Sequence, residues 1–359
     1  MGEFRGAMNN FVYEQHSSRV IFGVGTFDRL PEEIAQLGLK RALVLSSPGQ
    51  RHLADEAAKR LGVATAGIHA EAVMHVPIET AHAARETARR LGADCAVAIG
   101  GGSTIGLGKA VALDSGLPVV AVPTTYSGSE MTPIYGLTDQ GVKRTRRDRK
   151  VLPRVVIYDP MLTLALPAKV AGPSGMNALA HCVEALYAEN ANPITSLMAA
   201  EGIRALTRAL PAVVKTPQNV EARADALYGA WLAGSALGTV AMGIHHKLCH
   251  TLGGTFNLPH AEVHTVILPH AVRYNRNAVP EAMRIIAASL DAPDAAQAIF
   301  DLAKSIGAPL TLQEIGMPLD GLDRAAKLAT ESPYYNPRPV EYVGVRQLLE
   351  DAYYGRRPG

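Results

Sequence analysis

The chain has 359 residues, 48% of them hydrophobic and 19% charged, with a formal net charge of +2 at pH 7. A chain of this length exceeds what one compact core usually serves, so we expect two domains. A near-neutral charge gives no basis for binding nucleic acid or a membrane surface through bulk electrostatics, which leaves small molecules as the expected ligands. No stretch approaches the roughly 20 apolar residues that a membrane-spanning helix needs.

Cysteine usage and the first residues indicate the cellular setting. The three cysteines, Cys95, Cys182 and Cys249, lie in apolar contexts, and an odd number without a CxxC pair does not suit a disulfide framework. We therefore expect a reducing, cytoplasmic environment. Residues 1–7 lack a hydrophobic signal region and precede a second methionine, Met8, so we interpret them as an expression remnant.

The first half of the chain alternates β-branched runs with amphipathic segments, a pattern typical of parallel strands connected by helices. It predicts strands at 41–46, 95–99, 118–122, 134–137 and 155–158, a helix at 51–61, and a hairpin turn at 139–141. The charged run from Lys143 to Lys150 is interpreted as a solvated loop in preference to a substrate-steering patch.

Strand-like runs nearly vanish after Asp159 and Pro160, where Ala/Leu-rich segments at helical spacing begin. The pattern therefore predicts an α/β domain over residues 8–162 and an all-α domain over residues 163–359.

Two loops that follow predicted strands favour a dinucleotide site. The run Gly100-Gly101-Gly102-Ser103 precedes a predicted helix, so backbone N–H groups and the helix dipole can meet a pyrophosphate, although the run is not the GxGxxG fingerprint. The loop from Pro123 to Glu130 adds hydroxyls at the same sheet edge. At the end of the 41–46 strand stands Ser46 instead of a carboxylate, so either NADH or NADPH is expected. The predicted cofactor-binding residues are Ser46, Gly101, Gly102, Ser103, Thr124, Thr125 and Ser127.

A set of histidines in the second half predicts the catalytic site. His246 and His250 stand at i and i+4, as do Asn177 and His181, so each pair projects from one helix face. His260 follows a Gly-Gly turn that can bring it back to the same place. Together they suit either a divalent metal or a proton-handling cluster. His245, His264 and His270 are interpreted as packing or rim residues.

These motifs, in this order and spacing, resemble the iron-type (group III) alcohol dehydrogenases, relatives of dehydroquinate synthase. The resemblance runs from Phe22-Gly23-Val24-Gly25 to Asn336-Pro337-Arg338-Pro339. It implies a dehydroquinate synthase-like fold, an interdomain catalytic cleft and a homodimer.

Two departures from the family pattern point to one of its branches. Metal-dependent members have an aspartate where this chain has Asn177 and an acidic residue where it has Gly106. A neutral amide beside imidazoles is a weaker site for a divalent ion. The asparagine, the 123–130 loop and Ser46-Ser47-Pro48 are similar to the maleylacetate reductase branch, so no metal is expected, with His181, His246 and His260 as residual ligand candidates.

That branch implies reduction of the carbon–carbon double bond of maleylacetate to give 3-oxoadipate during aromatic compound degradation. The enolate formed by hydride addition needs weaker stabilisation than an alkoxide, so N–H donors can replace a metal. The implied catalytic residues are His250, His246 and Tyr126. The dicarboxylate substrate would be bound by protonated histidines, with Lys247 or an arginine of the hairpin as further cations. The implied substrate-binding residues are Asn177, His181, His246 and His260.

Other interpretations stay open at this stage. The first is a metal-dependent alcohol or aldehyde dehydrogenase in which Asn177 ligates through its carbonyl oxygen. The others are a dehydroquinate synthase-like lyase, which would carry further lysines, and a ligand sensor on the same scaffold, which retention of the whole histidine set argues against.

Overall fold

The structure is a computed structural model that describes residues 11–14, 18–139 and 142–359. The predicted expression remnant at residues 1–7 lies outside this range. Within the described residues, the strands are β1 (Arg19–Phe22), β2 (Ala42–Leu45), β3 (Thr65–His69), β4 (Cys95–Gly100), β5 (Val119–Pro123), β6 (Ile134–Asp139), β7 (Val142–Arg147) and β8 (Val155–Tyr158).

The helices divide between the two halves of the chain. The first half holds α1 (Leu30–Gln36), α2 (Arg51–Leu61), α3 (Ile78–Leu91) and α4 (Gly102–Ser115). The second half holds α5 (Ala168–Ala185), α6 (Pro193–Lys215), α7 (Val220–Thr239), α8 (Ile244–Phe256), α9 (His260–Asn275), α10 (Pro280–Ser289), α11 (Ala295–Ser305), α12 (Gly321–Thr330) and α13 (Tyr342–Tyr354).

Six strands form one parallel sheet in the order β1-β8-β5-β4-β2-β3. The central strands β2, β4 and β5 are buried along their whole length, as expected where helices cover both faces. The predicted α/β fold with a helical C-terminal portion is therefore confirmed. The change from strand to helix falls between Tyr158 and Ala168, and the predicted domain boundary at 162/163 lies inside this interval.

Chain order along this sheet reverses between β2 and β4, because β3 follows β2 on one side and β4 lies on the other. Ligands of open α/β sheets bind outside the carboxyl ends of the strands at such a reversal. In the register, Gly100 of β4 lies opposite Pro123 of β5, and the amide of Thr124 donates to the carbonyl of Gly100 at 3.0 Å. The loops after β2, β4 and β5 therefore meet at one edge.

Strands β6 and β7 form an antiparallel pair, with Ile134 opposite Arg147, as a hairpin requires. Residues 140 and 141 of the predicted turn lie outside the described residues. The prediction that residues 143–150 form a loop is wrong, since β7 extends to Arg147. Cross-strand pairing with β6 satisfies the backbone of this charged run, and local composition carries no signal for it.

Candidate active site

A cavity of about 910 Å³ lies where the carboxyl edge of the sheet meets α5, α8 and the start of α9. Its volume suits a dinucleotide together with a small substrate. The cavity brings together residues from β2, β4, β5, the hairpin and the helical portion, which are up to about two hundred positions apart along the chain.

One end of the cavity is formed by the glycine turn after β4. Gly100 has φ +154, and a Cβ there would lie 2.5 Å from Oγ1 of Thr104, so only glycine fits. Helix α4 then begins at Gly102 without a side-chain cap on its N-terminus. Its first N–H groups are therefore available to an anion, as the sequence predicts.

The predicted cofactor residues divide into two groups. Gly101, Gly102, Ser103, Thr125 and Ser127 line the cavity. The other two, Ser46 and Thr124, do not line it.

Ser46 and Thr124 point into the protein. Ser46 is fully buried, and the Thr124 hydroxyl accepts a hydrogen bond from Gln50 at 2.9 Å. Ser47 and Gln50 line the cavity in their place. The residue that leaves the sheet edge toward a ligand depends on the direction in which the chain turns after the strand, which the strand pattern does not specify.

Lys109 is a lining residue that the sequence analysis missed. Its ammonium donates to the carbonyls of Ser129 (2.6 Å) and Ile134 (2.7 Å) and to the hydroxyl of Thr132 (3.0 Å). Burial lowers the pKa of Lys109 to about 7. The side chain thus ties the segment between β5 and β6 to α4, beside the glycine turn.

The other end of the cavity holds the predicted histidine set. Helix α5 supplies Asn177 and His181, α8 supplies His246 and His250, and His260 begins α9. All five line the cavity. The predicted Gly-Gly turn is wrong, because both glycines lie inside α8, and the chain turns after Phe256 instead.

Ring contacts connect the histidines of this set. The rings of His181 and His246 stack with centroids 5.2 Å apart, and those of His246 and His250 are 6.2 Å apart. Three buried atoms have no hydrogen-bond partner within the described part of the chain: Oδ1 of Asn177, Nδ1 of His181 and Nε2 of His246. The predicted cluster therefore forms, and it presents unpaired polar atoms at a ligand cavity.

Behind this set lies a second, fully buried group. Nε2 of His245 is 2.9 Å from Nδ1 of His264 and 3.6 Å from the sulfur of Cys249. Neither histidine lines the cavity, in line with the prediction that they pack.

Burial, followed by the neighbouring histidine charges, holds the pKa of His181, His245 and His264 well below its ordinary value. The neutral form of His181 is therefore favoured, which argues against His181 as a source of positive charge for a dicarboxylate.

The predicted role of Tyr126 is also corrected. Its side chain is fully buried, and its hydroxyl accepts a hydrogen bond from the Arg223 guanidinium at 3.1 Å. The tyrosine lies outside the described lining of the cavity. Its position in the loop after β5 suggests exposure, but the ring packs inward between the sheet and the helical portion, which no local pattern indicates.

Positive charge reaches the cavity from the hairpin. Arg146 and Arg147 both line it, whereas Lys247 places its amine 5.7 Å from the ring centroid of Tyr334 and lies outside the described lining. Arg147 donates to the carbonyls of Leu237, Gly238 and Val240, so it attaches the hairpin to the end of α7. Arg146 remains the lining cation available to a substrate carboxylate.

Glu184 is the second important residue that the sequence analysis missed. It is buried on α5, and its Oε2 lies 2.5 Å from Nδ1 of His246. The sequence spacing could have indicated Glu184. It follows His181 by three residues and Asn177 by seven, so it shares their helix face.

The donor set does not fit the iron that this fold implies. Asn177 offers a neutral oxygen, the other candidates are imidazoles, and the neighbouring carboxylate of Glu184 is engaged by His246. A divalent ion would keep its full charge in a buried site without an anionic ligand. No catalytic step is therefore assigned to a metal.

Comparison with known families agrees with this geometry. The model of the iron-containing alcohol dehydrogenase family matches residues 17–160, and the C-terminal model of the same family matches residues 172–353. The chain belongs to the iron-containing alcohol dehydrogenase family. It is accordingly an oxidoreductase.

Relatives with high identity share one name. A maleylacetate reductase of Burkholderia cepacia is 57% identical over 98% of this chain and 100% of its own length. A maleylacetate reductase of Sphingobium indicum is 54% identical over 97% and 99% of the two chains. The crystal structure of maleylacetate reductase from Agrobacterium tumefaciens superposes with a TM-score of 0.95 at 50% identity, covering 98% of this chain and 100% of that one.

Among the described residues of this family member, no single helix has both the length and the apolar composition of a membrane span. Helices α7 and α8 together meet those criteria as a pair with a bend of 97°. Both helices bury side chains in the protein core, among them Leu227 and Leu248.

Proposed function

We propose that this chain is a maleylacetate reductase that reduces the carbon–carbon double bond conjugated with the ketone of its substrate. The observation that carries the proposal is the cavity itself, in which Asn177 stands among histidines and which is also lined by the uncapped N-terminus of α4. Relatives above 50% identity over nearly the whole chain bear the same name. The metal-dependent alcohol dehydrogenase alternative is disfavoured because Asn177 is neutral and the carboxylate of Glu184 is engaged by His246.

The glycine-turn end of the cavity suits a pyrophosphate. Backbone N–H groups at Gly102 and Ser103 would meet its charge, and the hydroxyls of Thr125 and Ser127 lie beside them. A reduced nicotinamide dinucleotide bound there supplies a hydride to the alkene carbon remote from the ketone. Lys109 holds the adjoining segment in place through its carbonyl contacts.

The histidine end would then act on the enolate. Negative charge shared with the ketone oxygen calls for N–H donors in a site shielded from water. His250 is our proton donor, because its ring lines the cavity on the exposed turn of α8, whereas burial favours the neutral form of His181. His250 delivers its proton to the carbon next to the ketone, which completes reduction of the double bond.

The substrate carboxylates would be bound by one positively charged group and one neutral polar group. Arg146 supplies the positive charge, and its planar guanidinium suits a carboxylate. The side-chain amide of Asn177 adds a neutral hydrogen-bonding group near the histidines. This division would keep the dianion in one orientation relative to His250.

Further parts of the proposal concern organisation. We propose a dinucleotide-binding domain up to residue 162, a catalytic domain after it, and a homodimer, on the strength of the family resemblance. All three cysteines are free and buried, which supports a reducing, cytoplasmic setting.

The experiment that tests the function measures the decrease in NADH absorbance with freshly generated maleylacetate, with and without prior EDTA treatment. Rapid turnover insensitive to EDTA, with simple aldehydes inert, supports the proposal. Turnover of aldehydes alone, lost with EDTA and restored by Fe²⁺ or Zn²⁺, would assign the chain to the alcohol dehydrogenases.

The Asn177→Asp variant is expected to take up a divalent metal and to lose enone reduction. The new carboxylate adds the missing anionic ligand beside His181, His246 and His260 and introduces negative charge that repels the substrate dianion. Elemental analysis after incubation with Zn²⁺ measures the uptake. Asn219→Asp, at the N-cap of α7, is the matched control, since aspartate caps equally well there. Metal uptake with full activity would show that the amide is incidental.

The enzyme is expected to accept NADPH as well as NADH. Ser47 and Gln50 line the cavity beyond β2, and Glu262, at the start of α9, is the single acidic residue in the described lining. A 2′-phosphate near β2 would therefore meet no carboxylate. The ratio of kcat/KM for the two cofactors measures this, and a preference for NADH above about a thousandfold, ~4 kcal/mol, would refute it.

A further inference from the structure

Glu184 makes an unusually complete set of contacts with the start of α8. One carboxylate oxygen accepts from the backbone amide of His245 at 2.8 Å. The other accepts from the backbone amide of His246 at 3.3 Å and lies 2.5 Å from Nδ1 of the same residue. The carboxylate is fully buried and belongs to α5, so it is not part of the helix that it caps.

Gly243 at the N-cap of α8 has no side chain to satisfy the first amides. Asn336 accepts from the amide of Ile244 at 3.3 Å, and Glu184 accepts from the next two amides. A carboxylate at a helix N-terminus is stabilised by the amides and by the helix dipole. Glu184 therefore sets the position of the turn that carries His246, and His250 follows one turn later.

The same contact decides which nitrogen of His246 faces the substrate. A carboxylate oxygen accepts and does not donate, so the hydrogen of the close contact stands on Nδ1. The other nitrogen, Nε2, is buried and has no partner among the described residues, while the ring lines the cavity.

We propose that Glu184 is a positioning residue that keeps the Nδ1 proton of His246 in place and so confines proton exchange by this ring to Nε2, at the substrate cavity. The expected effect on kcat rests on the proposed function. The position of the hydrogen on His246 rests on geometry alone. An equivalent orientation of a ring by a carboxylate underlies other histidine-based catalytic sites.

The test compares ring ¹⁵N chemical shifts and kinetics of the wild type and Glu184→Gln. In the wild type we expect His246, assigned by the signal lost in His246→Ala, to carry hydrogen on Nδ1. In Glu184→Gln, the side-chain oxygen of the glutamine can still accept from the backbone N–H of His245, which turns its NH₂ group toward Nδ1 of His246. Because NH₂ donates, Nδ1 must then accept, and the ring hydrogen moves to Nε2. We expect kcat for maleylacetate to fall about 10- to 100-fold with KM changed much less.

Glu33→Gln is the matched control, because Glu33 is also a buried carboxylate, paired with Arg19 and Arg29 at a distance from the cavity. It should lower stability without altering the His246 signals or kcat. Hydrogen on Nε2 in the wild type would overturn the proposal even if Glu184→Gln failed to fold. An unchanged kcat in Glu184→Gln with the inverted tautomer would also overturn it. Absence of maleylacetate turnover in the wild type would instead refute the proposed function.

Discussion

Replacing His250 with alanine is expected to lower kcat for maleylacetate by about 10²- to 10⁴-fold, the range that a positioned general acid contributes. His250 lies one helical turn beyond His246, with ring centroids 6.2 Å apart, and lines the cavity on an exposed turn of α8. Burial holds the pKa of the neighbouring His181 well below its ordinary value, which disfavours a charged His181 as the acid. Steady-state kinetics with saturating NADH measure the loss.

His82→Ala provides the comparison, since His82 is an exposed histidine of α3 outside the described lining of the cavity. Its kinetics should match the wild type. If His250→Ala retained most of the wild-type kcat/KM, the proton donor would be a group other than His250.

Gly234→Ala is expected to destabilise the protein and to weaken dinucleotide binding. A Cβ on Gly234 would lie 2.3 Å from the carbonyl oxygen of Gly128, a backbone atom that cannot move without the whole loop. Gly128 itself has φ +73 and directly follows Ser127, which lines the cavity. Forcing the loop away from α7 should cost about 1–3 kcal/mol in unfolding free energy. Thermal or urea unfolding measures this loss of unfolding free energy.

The same displacement should raise the Kd for NADH, by about tenfold for each 1.4 kcal/mol of lost binding. Gly254→Ala is the matched control, because Gly254 lies in helix α8 and a Cβ there meets no atom within 4 Å. It should be neutral or stabilising by about 0.5–1 kcal/mol. Equal stability of the Gly234→Ala and Gly254→Ala variants would mean that α7 can shift to accept the methyl group.

Several features of the site follow from local pattern. The i, i+4 spacing of Asn177 with His181, and of His246 with His250, places each pair on one face of any helix that contains it. The glycine run after a buried apolar strand likewise predicts the turn at Gly100, because φ near +154 is open only to glycine. These predictions depend on contacts within a few residues, which is why a single sequence suffices for them.

Other features depend on side-chain direction after a strand or loop. Ser46 and Ser47 are adjacent and chemically identical, yet only Ser47 lines the cavity. Tyr126 follows a cavity loop and still turns inward to Arg223, about a hundred residues away in sequence. Packing against distant elements determines these orientations, so the sequence pattern leaves them undetermined.

Local pattern thus determined the α/β fold, the helical C-terminal portion and the identity of the histidine set, because strand alternation, helical periodicity and glycine conformations are short-range properties. Tertiary structure alone decided that Glu184 orients His246, that Arg147 attaches the hairpin to α7, and that Lys109 ties the loop after β5 to α4. Glu184 and Lys109 are buried charges, and the partners that satisfy each of them come from another element. A buried charge without a partner is costly, so a partner must lie within hydrogen-bond distance. That partner can come from any part of the chain, and sequence spacing therefore does not identify it.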